Sequence, residues 1–330
     1  MFENKIILIT GGTGSLGQAL TRRLLKSKVK TVRIFSRNEN KQVTMKSKFN
    51  DPRLRFLIGD IRDLPRLKMA MEDVNIVFHA AALKHVPVIE YNPFEGIKTN
   101  VIGSQNVIDA CLHEKVETAV CVGTDKAVSP LNTYGATKLL MEKLFVTAGN
   151  YADRRKHKTK FIALRYGNVF GSSGSVVPIL IEQIKKKKKI TITDPKMTRF
   201  SVTMDEALDF ILESTIEGQG SEIFIPKLRA YSIMDLKDAL IELFGDTGVN
   251  VVGIRPGEKL HEILINNDEI RQVYEFKNKY IIVSPDKTEA QIKKTYSNIK
   301  KTKLSESYSS DSVKKMSKSD LKKYLSDLDL

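Results

Sequence analysis

The stretch Thr10-Gly11-Gly12-Thr13-Gly14-Ser15-Leu16-Gly17 (TGGTGSLG) joins an apolar run, KIILIT at 5–10, to a helical pattern over 16–25. Glycines in such a turn let the backbone approach a pyrophosphate, and the N-terminus of the following helix offers N–H groups to its negative charge. A second apolar run begins about twenty residues further on, as in a βαβ unit. The stretch therefore predicts a dinucleotide-binding turn, with these binding residues: Gly11, Thr13, Gly14, Ser15, Leu16 and Gly17.

Beyond this turn, short β-rich runs alternate with amphipathic stretches. The runs predicted as strands are KIILIT (5–10), TVRIF (31–35), RFLIG (55–59), NIVFHA (75–80), TAVCVG (118–123) and FIALRY (161–166). The stretches predicted as helices are 16–25, 64–71, 101–112 and 134–148. Because apolar strands that alternate with helices form parallel sheets covered on both faces, we expect an α/β fold with a doubly wound, Rossmann-type parallel sheet.

After Asn168 the pattern loosens. Helical patterns near 176–186, 205–216, 233–244 and 257–265 are separated by the short β runs ITIT, EIFI and VVGI, and SKSDLKKYLSDL is expected to form a last helix. This mixture predicts a smaller mixed α/β C-terminal lobe that binds the substrate. We therefore expect a dinucleotide-binding domain with the catalytic residues at 1–167, and a substrate lobe with a C-terminal tail at 168–330.

The composition indicates a globular, cytoplasmic protein. The chain has 330 residues, 41% of them apolar, and a formal net charge of +15. Much of that charge lies in KKKKK at 185–189 and in the lysines after Pro285. No aromatic residues interleave in the five-lysine run as base stacking would require, so we expect no nucleic-acid partner.

Several further classes are disfavoured by pattern. No apolar run approaches the ~20 residues that span a bilayer, so no membrane insertion is expected. The start MFENKIILIT lacks the pattern of a signal peptide. Cys111 and Cys121 have no metal or redox spacing, and His85 and His261 have no ligand partners at metal spacing, so we expect no metal site.

The residues after the second strand favour NADP over NAD. The acidic residue that would bind a free 2′-hydroxyl is absent there, and Ser36 and Arg37 are present instead, as suits a 2′-phosphate. Asp60 and Ile61 follow the third strand, where a carboxylate can accept from an adenine amino group. Asp60 can equally cap the helix that begins near Leu64. Small residues follow the fourth strand and allow close approach of the cofactor: Ala80, Ala81 and Ala82.

Two reactive pairs lie in TDKAVSPLNTYGATK, residues 124–138. Tyr134 and Lys138 are four residues apart on a predicted helix and therefore share a face. An unperturbed phenol has a pKa of about 10, so we expect the Lys138 cation to lower the pKa of Tyr134 and make it a usable base. Asp125 and Lys126 form a second acid–base pair just beyond the fifth strand, and Thr124 begins this stretch and is also a catalytic candidate.

With TGGTGSLG and YGATK in place, the chain resembles the extended short-chain dehydrogenase/reductase superfamily. More narrowly, it is similar to the inverting UDP-N-acetylglucosamine 4,6-dehydratases that open pseudaminic acid synthesis. The similarity covers roughly residues 4–325. It lies in HAAALKHVPVIEYNPFEGIKTNVIGSQNVIDA, GTDKAVSPLNTYGATK, RYGNVFGSSGSVVP, MTRFSVTMDEA and IRPGEKLHEILI. One departure is the stretch 172–174, Ser-Ser-Gly, where many relatives carry Ser-Arg-Gly.

The resemblance implies an NADP-dependent dehydratase acting on UDP-N-acetylglucosamine. Oxidation at C4, with Tyr134 as the base, would acidify the C5 proton; Lys126 would then remove that proton and Asp125 would protonate the departing 6-hydroxyl. Retaining relatives carry a glutamate in place of Lys126, so the lysine implies inversion at C5. The resemblance also implies that UDP-sugar contacts come from these residues: Lys84, Asn168, Val176, Arg199, Arg255 and Glu258.

Other functions stay open from the sequence. Asp125 and Lys126 should shift each other's pKa against their proposed roles, which predicts that the pair titrates as a unit. The alternatives are a nucleotide-sugar 4-epimerase, which needs no such pair, a 4,6-dehydratase of another sugar, and a non-catalytic NADP-binding scaffold. Homo-oligomers are usual in the superfamily, so we expect one here.

Overall fold

The structure, a computed structural model, describes residues 1–151, 158–171, 175–326 and 328. Its strands are β1 (Ile6–Thr10), β2 (Thr31–Ser36), β3 (Leu54–Ile58), β4 (Ile76–His79), β5 (Thr118–Val122), β6 (Lys160–Leu164), β7 (Asn168–Val169), β8 (Ile190–Ile192), β9 (Thr198–Val202), β10 (Glu222–Pro226), β11 (Arg229–Ser232), β12 (Val249–Val251), β13 (Ile263–Ile265), β14 (Val273–Phe276), β15 (Lys279–Ile282), β16 (Lys300–Lys301) and β17 (Tyr308–Ser309).

Helices connect most of these strands. They are α1 (Ser15–Leu25), α2 (Glu39–Phe49), α3 (Leu64–Met71), α4 (Val86–Tyr91), α5 (Pro93–Ile97), α6 (Gly103–His113), α7 (Thr133–Tyr151), α8 (Val176–Lys185), α9 (Met204–Glu217), α10 (Ile233–Phe244), α11 (Glu289–Thr295) and α12 (Lys318–Ser326). A π-helical turn, Lys98–Ile102, runs into α6, and 3₁₀ turns cover Asp125–Ala127 and Asn267–Gln272.

The main sheet is parallel through its first six strands. Among the described residues its order is β16-β14-β15-β10-β6-β5-β4-β1-β2-β3. β1 pairs in parallel with both β2 and β4, so the strand order reverses on either side of β1. In open α/β sheets the crevice at the carboxyl ends beside such a reversal is where ligands bind. The predicted fold class, a doubly wound α/β sheet, is confirmed.

Both faces of the sheet are covered because its central strands are apolar throughout. Ile7 and Ile9 of β1 pack in one hydrophobic cluster with Leu20 of α1. Leu8, between them, belongs to the cluster on the other face, with Leu67 of α3. Side chains of a strand alternate between faces, so this arrangement requires helices on both sides.

The C-terminal part of the chain contributes both to the main sheet and to a smaller lobe. β10, β14, β15 and β16 extend the main sheet, so this sheet continues past the expected boundary at 167/168. A three-stranded sheet, β11-β9-β7, and a separate core with Leu180, Leu236 and Leu321 form the smaller lobe.

Local structure departs from expectation at several places. The predicted helix at 257–265 is wrong, because this segment is irregular up to β13, whose partner β17 lies far along the chain. The strand expected in VVGI is shifted to Val249–Val251. α2 was not predicted; it is mostly polar and buries only Gln42 and Met45. In the described ranges, the helices lack the combination of length and apolar character needed to cross a membrane.

Candidate active site

The glycine-rich turn lies directly against the loop that follows β4. Gly11 has a positive φ of +67°, and a Cβ there would lie 2.9 Å from the Ala81 Cα. A Cβ on Gly17 would lie 2.5 Å from the carbonyl oxygen of Gly12. The glycines therefore allow the turn to fold tightly and bring the N-terminus of α1 to the sheet edge.

A cavity of about 630 Å³ runs along this edge. Its walls include nearly all the predicted cofactor residues: Gly11, Thr13, Gly14, Ser15, Leu16, Gly17, Ser36, Arg37, Asp60, Ile61, Ala80, Ala81, Ala82 and Tyr134. Lys84 and Asn168, predicted to contact the sugar nucleotide, line the same cavity. The volume and the helix N-terminus at one wall suit a nucleotide cofactor with part of a substrate beside it.

Arg37 and Asp60 meet at the end of the cavity near β2. The Arg37 Nη1 lies 3.7 Å from the Asp60 Oδ2, and the Arg37 side chain is 55% exposed. Asp60 accepts hydrogen bonds from the side chain and the backbone N–H of Arg62. The cap of α3 is instead Asp63, whose side chain accepts from the Arg66 N–H. Asp60 is thus held at the cavity by hydrogen bonds from Arg62 and does not cap α3.

Tyr134 and Lys138 lie on one face of α7, as predicted, but they do not act on each other in the expected way. The Lys138 Nζ is buried and donates to the carbonyl oxygen of Val122, 2.9 Å away. Burial raises the pKa of Tyr134 to about 12, and the nearby cation that opposes this rise is Lys126. The prediction that Lys138 lowers the pKa of Tyr134 is therefore wrong for this structure.

Asn100 connects the loop after β4 to the helix that carries Tyr134. Its side chain accepts from the Leu83 N–H and donates to the Leu83 carbonyl oxygen and to the Thr137 hydroxyl. Asn100 is completely buried in the π-helical turn. Its hydrogen bonds fix the position of the loop after β4 relative to α7.

Asp125 and Lys126 form an ion pair in the 3₁₀ turn that follows β5. The Lys126 Nζ lies 3.1 Å from the Asp125 Oδ1 and 3.3 Å from the Asn168 Oδ1. The Thr124 hydroxyl donates to the Asp125 Oδ1 at 2.8 Å. Asp125 is 1% exposed and Lys126 is 33% exposed. Asp125 is therefore fixed in the interior, and Lys126 is the more exposed member of the pair.

The charge on Lys126 is stabilised by its surroundings. Burial alone would lower the pKa of Lys126, but the carboxylates of Asp125 and Glu262 outweigh it and raise this pKa above its usual range. The prediction that a neighbouring carboxylate works against the role of Lys126 as a base, by raising its pKa, is confirmed. In the resting site Lys126 is thus an ammonium group, and it becomes a base only if a neighbour takes its proton.

Glu262 is a site residue that the sequence analysis missed. Its Oε1 accepts from the Asn168 Nδ2 at 2.5 Å, its Oε2 accepts from the Phe200 N–H at 2.9 Å, and its Oε1 lies 3.8 Å from the Lys126 Nζ. Burial raises the pKa of Glu262 to about 7, and the Asp125 carboxylate adds to this rise. It lies within IRPGEKLHEILI, but the helix predicted there gave no reason to place it beside Lys126.

The remaining predicted substrate residues are less closely grouped. Arg199 of β9 pairs with Glu258 at 3.3 Å and lies 3.5 Å from Glu262. Glu258 lines a second cavity, of about 480 Å³, and its Oε2 is buried without a hydrogen-bond partner among the described residues. Val176 begins α8, and Arg255 is exposed in the loop before Glu258. The departure at 172–174 falls outside the described residues.

A parallel sheet with a glycine-rich turn after β1, and a tyrosine and lysine four residues apart on α7, together define a Rossmann-type protein of the extended short-chain dehydrogenase/reductase class. The chain belongs to the polysaccharide biosynthesis protein family, whose profile matches residues 7–284. The resemblance predicted from the sequence is confirmed by this match.

Three similar proteins cover most of the chain. The inverting UDP-N-acetylglucosamine 4,6-dehydratase of Campylobacter jejuni subsp. jejuni serotype O:2 is 50% identical over 284 residues, 86% of this chain and 84% of that protein. A UDP-glucose 4-epimerase of Rickettsia felis is 41% identical over 334 residues, 100% of this chain and 97% of that protein. The X-ray structure of Pen from Bacillus thuringiensis superposes with a TM-score of 0.90 at 40% identity, over 98% of this chain and 97% of that chain.

Proposed function

We propose that this protein is an NADP-dependent hydro-lyase that removes water across C5 and C6 of UDP-N-acetylglucosamine and inverts C5. The product is UDP-2-acetamido-2,6-dideoxy-β-L-arabino-hexos-4-ulose. The observation that carries the proposal is the Asp125–Lys126 pair, which lies beside Tyr134, a residue of the cavity wall. The 50% identity to an inverting dehydratase of this substrate supports it.

The cavity fits a dinucleotide because its glycine turn leaves no room for a side chain between the N-terminus of α1 and Ala81. Ser36 and Arg37 favour the 2′-phosphate of NADP. When bound, NADP⁺ would accept a hydride from C4 and return it to C6, so that the cofactor ends as it began. Gly11, Thr13 and Gly14 would hold the pyrophosphate, and Ala80 and Ala81 would contact the cofactor closely.

Tyr134 takes the proton of the sugar 4-hydroxyl. Its pKa of about 12 in the structure means that it needs a cation close by, and Lys126 supplies one. A ketone at C4 makes the C5 proton acidic, because the resulting carbanion is an enolate. Tyr134 thereby prepares the substrate for the step that the second pair performs.

Asp125 and Lys126 perform the elimination with one shared proton. Passing this proton from Lys126 to Asp125 creates both the neutral amine and the protonated carboxyl. The amine then takes the C5 proton, the C6–O bond breaks, and the Asp125 proton leaves with the hydroxyl as water. The pair is left as the ion pair with which it began. For C5 to invert, the proton that it receives as hydride reaches C6 must come from solvent and arrive on the face opposite Lys126.

The smaller lobe would hold the UDP group. Arg199 suits a phosphate, as a planar guanidinium donor. The unpartnered Glu258 Oε2 suits a ribose hydroxyl, because a buried carboxylate oxygen needs a donor. Val176 and Arg255 remain predicted contacts, and the cytoplasmic location and the homo-oligomer likewise remain predictions.

Incubation of the purified protein with NADP⁺ and UDP-N-acetylglucosamine tests the proposal. We expect a product lighter by one water, seen by mass spectrometry, without added reductant. Formation of UDP-N-acetylgalactosamine would instead indicate a 4-epimerase, the activity named for the Rickettsia relative. If UDP-N-acetylglucosamine is unchanged while another UDP- or dTDP-sugar loses water, the substrate is wrong and the dehydratase chemistry stands. If no sugar reacts, the protein is a non-catalytic scaffold.

A further inference from the structure

Glu262 joins three elements at the site, and its Oε1 lies 3.8 Å from the Lys126 Nζ. It lies just before β13 and is 3% exposed. Its two oxygens accept from different strands, Oε1 from the Asn168 side chain of β7 and Oε2 from the Phe200 N–H of β9. Buried carboxylates are normally satisfied in this way, so Glu262 is fixed in position.

The hydrogen bond to Glu262 determines which way the Asn168 amide faces. An asparagine amide has one oxygen that accepts and one nitrogen that donates. Because the Asn168 Nδ2 donates to Glu262, the Asn168 Oδ1 is turned toward Lys126, and the Lys126 Nζ donates to it at 3.3 Å. Only an ionised Glu262 accepts through both oxygens at once, holding the Asn168 Nδ2 while it also accepts from the Phe200 N–H. A chain of contacts thus runs from Glu262 through Asn168 to the amine.

Lys126 has three N–H donors, and the protein provides acceptors from two residues for its nitrogen. The Asp125 carboxylate oxygens lie at 3.1 and 3.2 Å and the Asn168 Oδ1 lies at 3.3 Å. These contacts leave the amine little freedom to rotate. The side chain that orients Asn168 consequently orients the amine as well.

We propose that Glu262 is a positioning residue for the C5 step: its ionised carboxylate sets the Asn168 amide and thereby aims the Lys126 amine at the substrate. This inference rests on the proposed function and adds a residue to it. Glu262 itself is buried and does not line the cavity, so it acts through Asn168 and Lys126 and not on the sugar.

The rate of water release should depend on pH, because Glu262 must be ionised to accept both hydrogen bonds. Burial and the Asp125 carboxylate raise the pKa of Glu262, whereas Lys126, Arg199 and the Phe200 N–H lower it, with a result of about 7. Lys259 and Tyr231 also interact electrostatically with Glu262. Once Glu262 takes a proton, one of its oxygens must donate, and one of its two N–H contacts is lost. The rate of water release should therefore fall as the pH drops through about 7.

The variants Glu262→Gln and Glu262→Asp test this inference with NADP⁺ and UDP-N-acetylglucosamine. Two readouts separate the steps: absorbance of the reduced nicotinamide for C4 oxidation in a single turnover, and mass spectrometry for water release. We expect Glu262→Gln to slow water release about 100-fold, the scale of a small misplacement of a catalytic group. Its KM and its C4 oxidation should stay near wild type. The acidic limb of the pH profile should vanish in Glu262→Gln and persist in Glu262→Asp.

Glu222→Gln is the matched control, because Glu222 is a buried glutamate that contacts Lys287 and the backbone at Gly220. It should release water at the wild-type rate. If Glu262→Gln fails to fold, Asn168→Ala replaces it as the test. Asn168→Ala must then slow water release while C4 oxidation stays near the wild-type rate.

Wild-type water release by Glu262→Gln, or an equal loss of C4 oxidation and water release, would overturn the inference. Retention of water release in a folded Asn168→Ala would overturn it as well. A wild-type protein that releases no water from any sugar nucleotide would instead overturn the proposed function.

Discussion

Lys126 has two carboxylates within 4 Å of its Nζ, those of Asp125 and Glu262, and an amide oxygen from Asn168. These neighbours raise its pKa, so its charge is its stable form in the resting protein. A base at C5 therefore cannot arise by simple loss of the proton to solvent near neutral pH. In the proposed mechanism this proton moves within the cluster to the Asp125 carboxylate, which later protonates the leaving hydroxyl.

Replacing Lys126 with Ala removes the proposed C5 base. We expect water release from UDP-N-acetylglucosamine to fall by about 10²–10⁴-fold, the usual contribution of a general base. NADP affinity, measured by titration calorimetry, should stay unchanged because Lys126 does not line the cavity that is expected to hold the cofactor. Lys185→Ala, at an exposed position on α8, is the control and should release water normally. An unimpaired Lys126→Ala would refute the assignment.

Arg37 is expected to decide between the two nicotinamide cofactors. Losing a hydrogen bond to a charged group costs about 1.5–3 kcal/mol, so Arg37→Ala should weaken NADP binding about 10- to 100-fold. NAD affinity should change little, since NAD lacks the 2′-phosphate. Equal losses for both cofactors in titration calorimetry would mean that Arg37 does not read this phosphate.

Two glutamates in IRPGEKLHEILI differ in how far the sequence pointed to them. Glu258 was chosen from the resemblance, and it does face Arg199. Glu262 was not chosen, because its position depends on the pairing of β13 with β17 and a helix was predicted there instead. Contacts between segments more than forty residues apart leave no periodic signal in the local sequence. The cofactor turn, by contrast, is local in sequence, and all of its predicted residues line the cavity.

At the scale of elements, a buried ion cluster joins α7 to the segment after β13. Arg165 follows β6 and is completely buried, as is Glu142 of α7; the Arg165 Nη2 lies 2.5 Å from Glu142 and 2.9 Å from Glu269. The Arg165 Nη1 also donates to the carbonyl oxygen of Leu264 in β13. The cluster thus ties the helix of Tyr134 to the strand that follows Glu262.

Arg165→Met should destabilise the fold strongly. Removing one partner of a buried ion pair leaves an uncompensated charge and costs about 3–5 kcal/mol. The free energy of unfolding from urea denaturation measures the effect. Lys186→Ala, which breaks the exposed Lys186–Glu182 pair on one helix, is the control and should change it by less than about 1 kcal/mol. Equal effects of the two variants would show that the buried cluster does not stabilise the fold.

The parallel core and the C-terminal helices α8, α9, α10 and α12 were predictable at the element scale, whereas the pairing of most C-terminal strands was not. β1 to β6 are continuous apolar runs, and each lies within about one or two residues of its predicted range. α2 was not predicted from the sequence because it packs mainly through Gln42 and Met45 and has no clear apolar stripe. The strands β10, β14, β15 and β16 join the main sheet through tertiary pairing, which the sequence pattern does not specify.

At the scale of the whole molecule, the raised pKa of Glu262 couples stability to pH. An unfolded glutamate has a pKa of about 4.3, so the folded protein holds this proton more tightly. The stabilisation from proton binding is complete below pH ~4.3 and is lost as the pH rises through about 7. The stability of wild type relative to Glu262→Gln should therefore decrease between these values, by at most about 1.4 kcal/mol per pH unit. Urea denaturation of both proteins across this range checks it, and parallel curves would contradict it.

Inversion at C5 is the central proposal for the molecule, and it depends on Asp125 and Lys126 acting together beside Tyr134. The most direct measurement is a reaction of the NADP⁺-loaded protein with UDP-N-acetylglucosamine in D₂O, followed by proton NMR of the product. The account predicts a 4-keto-6-deoxy product that carries deuterium at C5 and has the L-arabino configuration. A product with the D-xylo configuration, or with the original proton at C5, would contradict it.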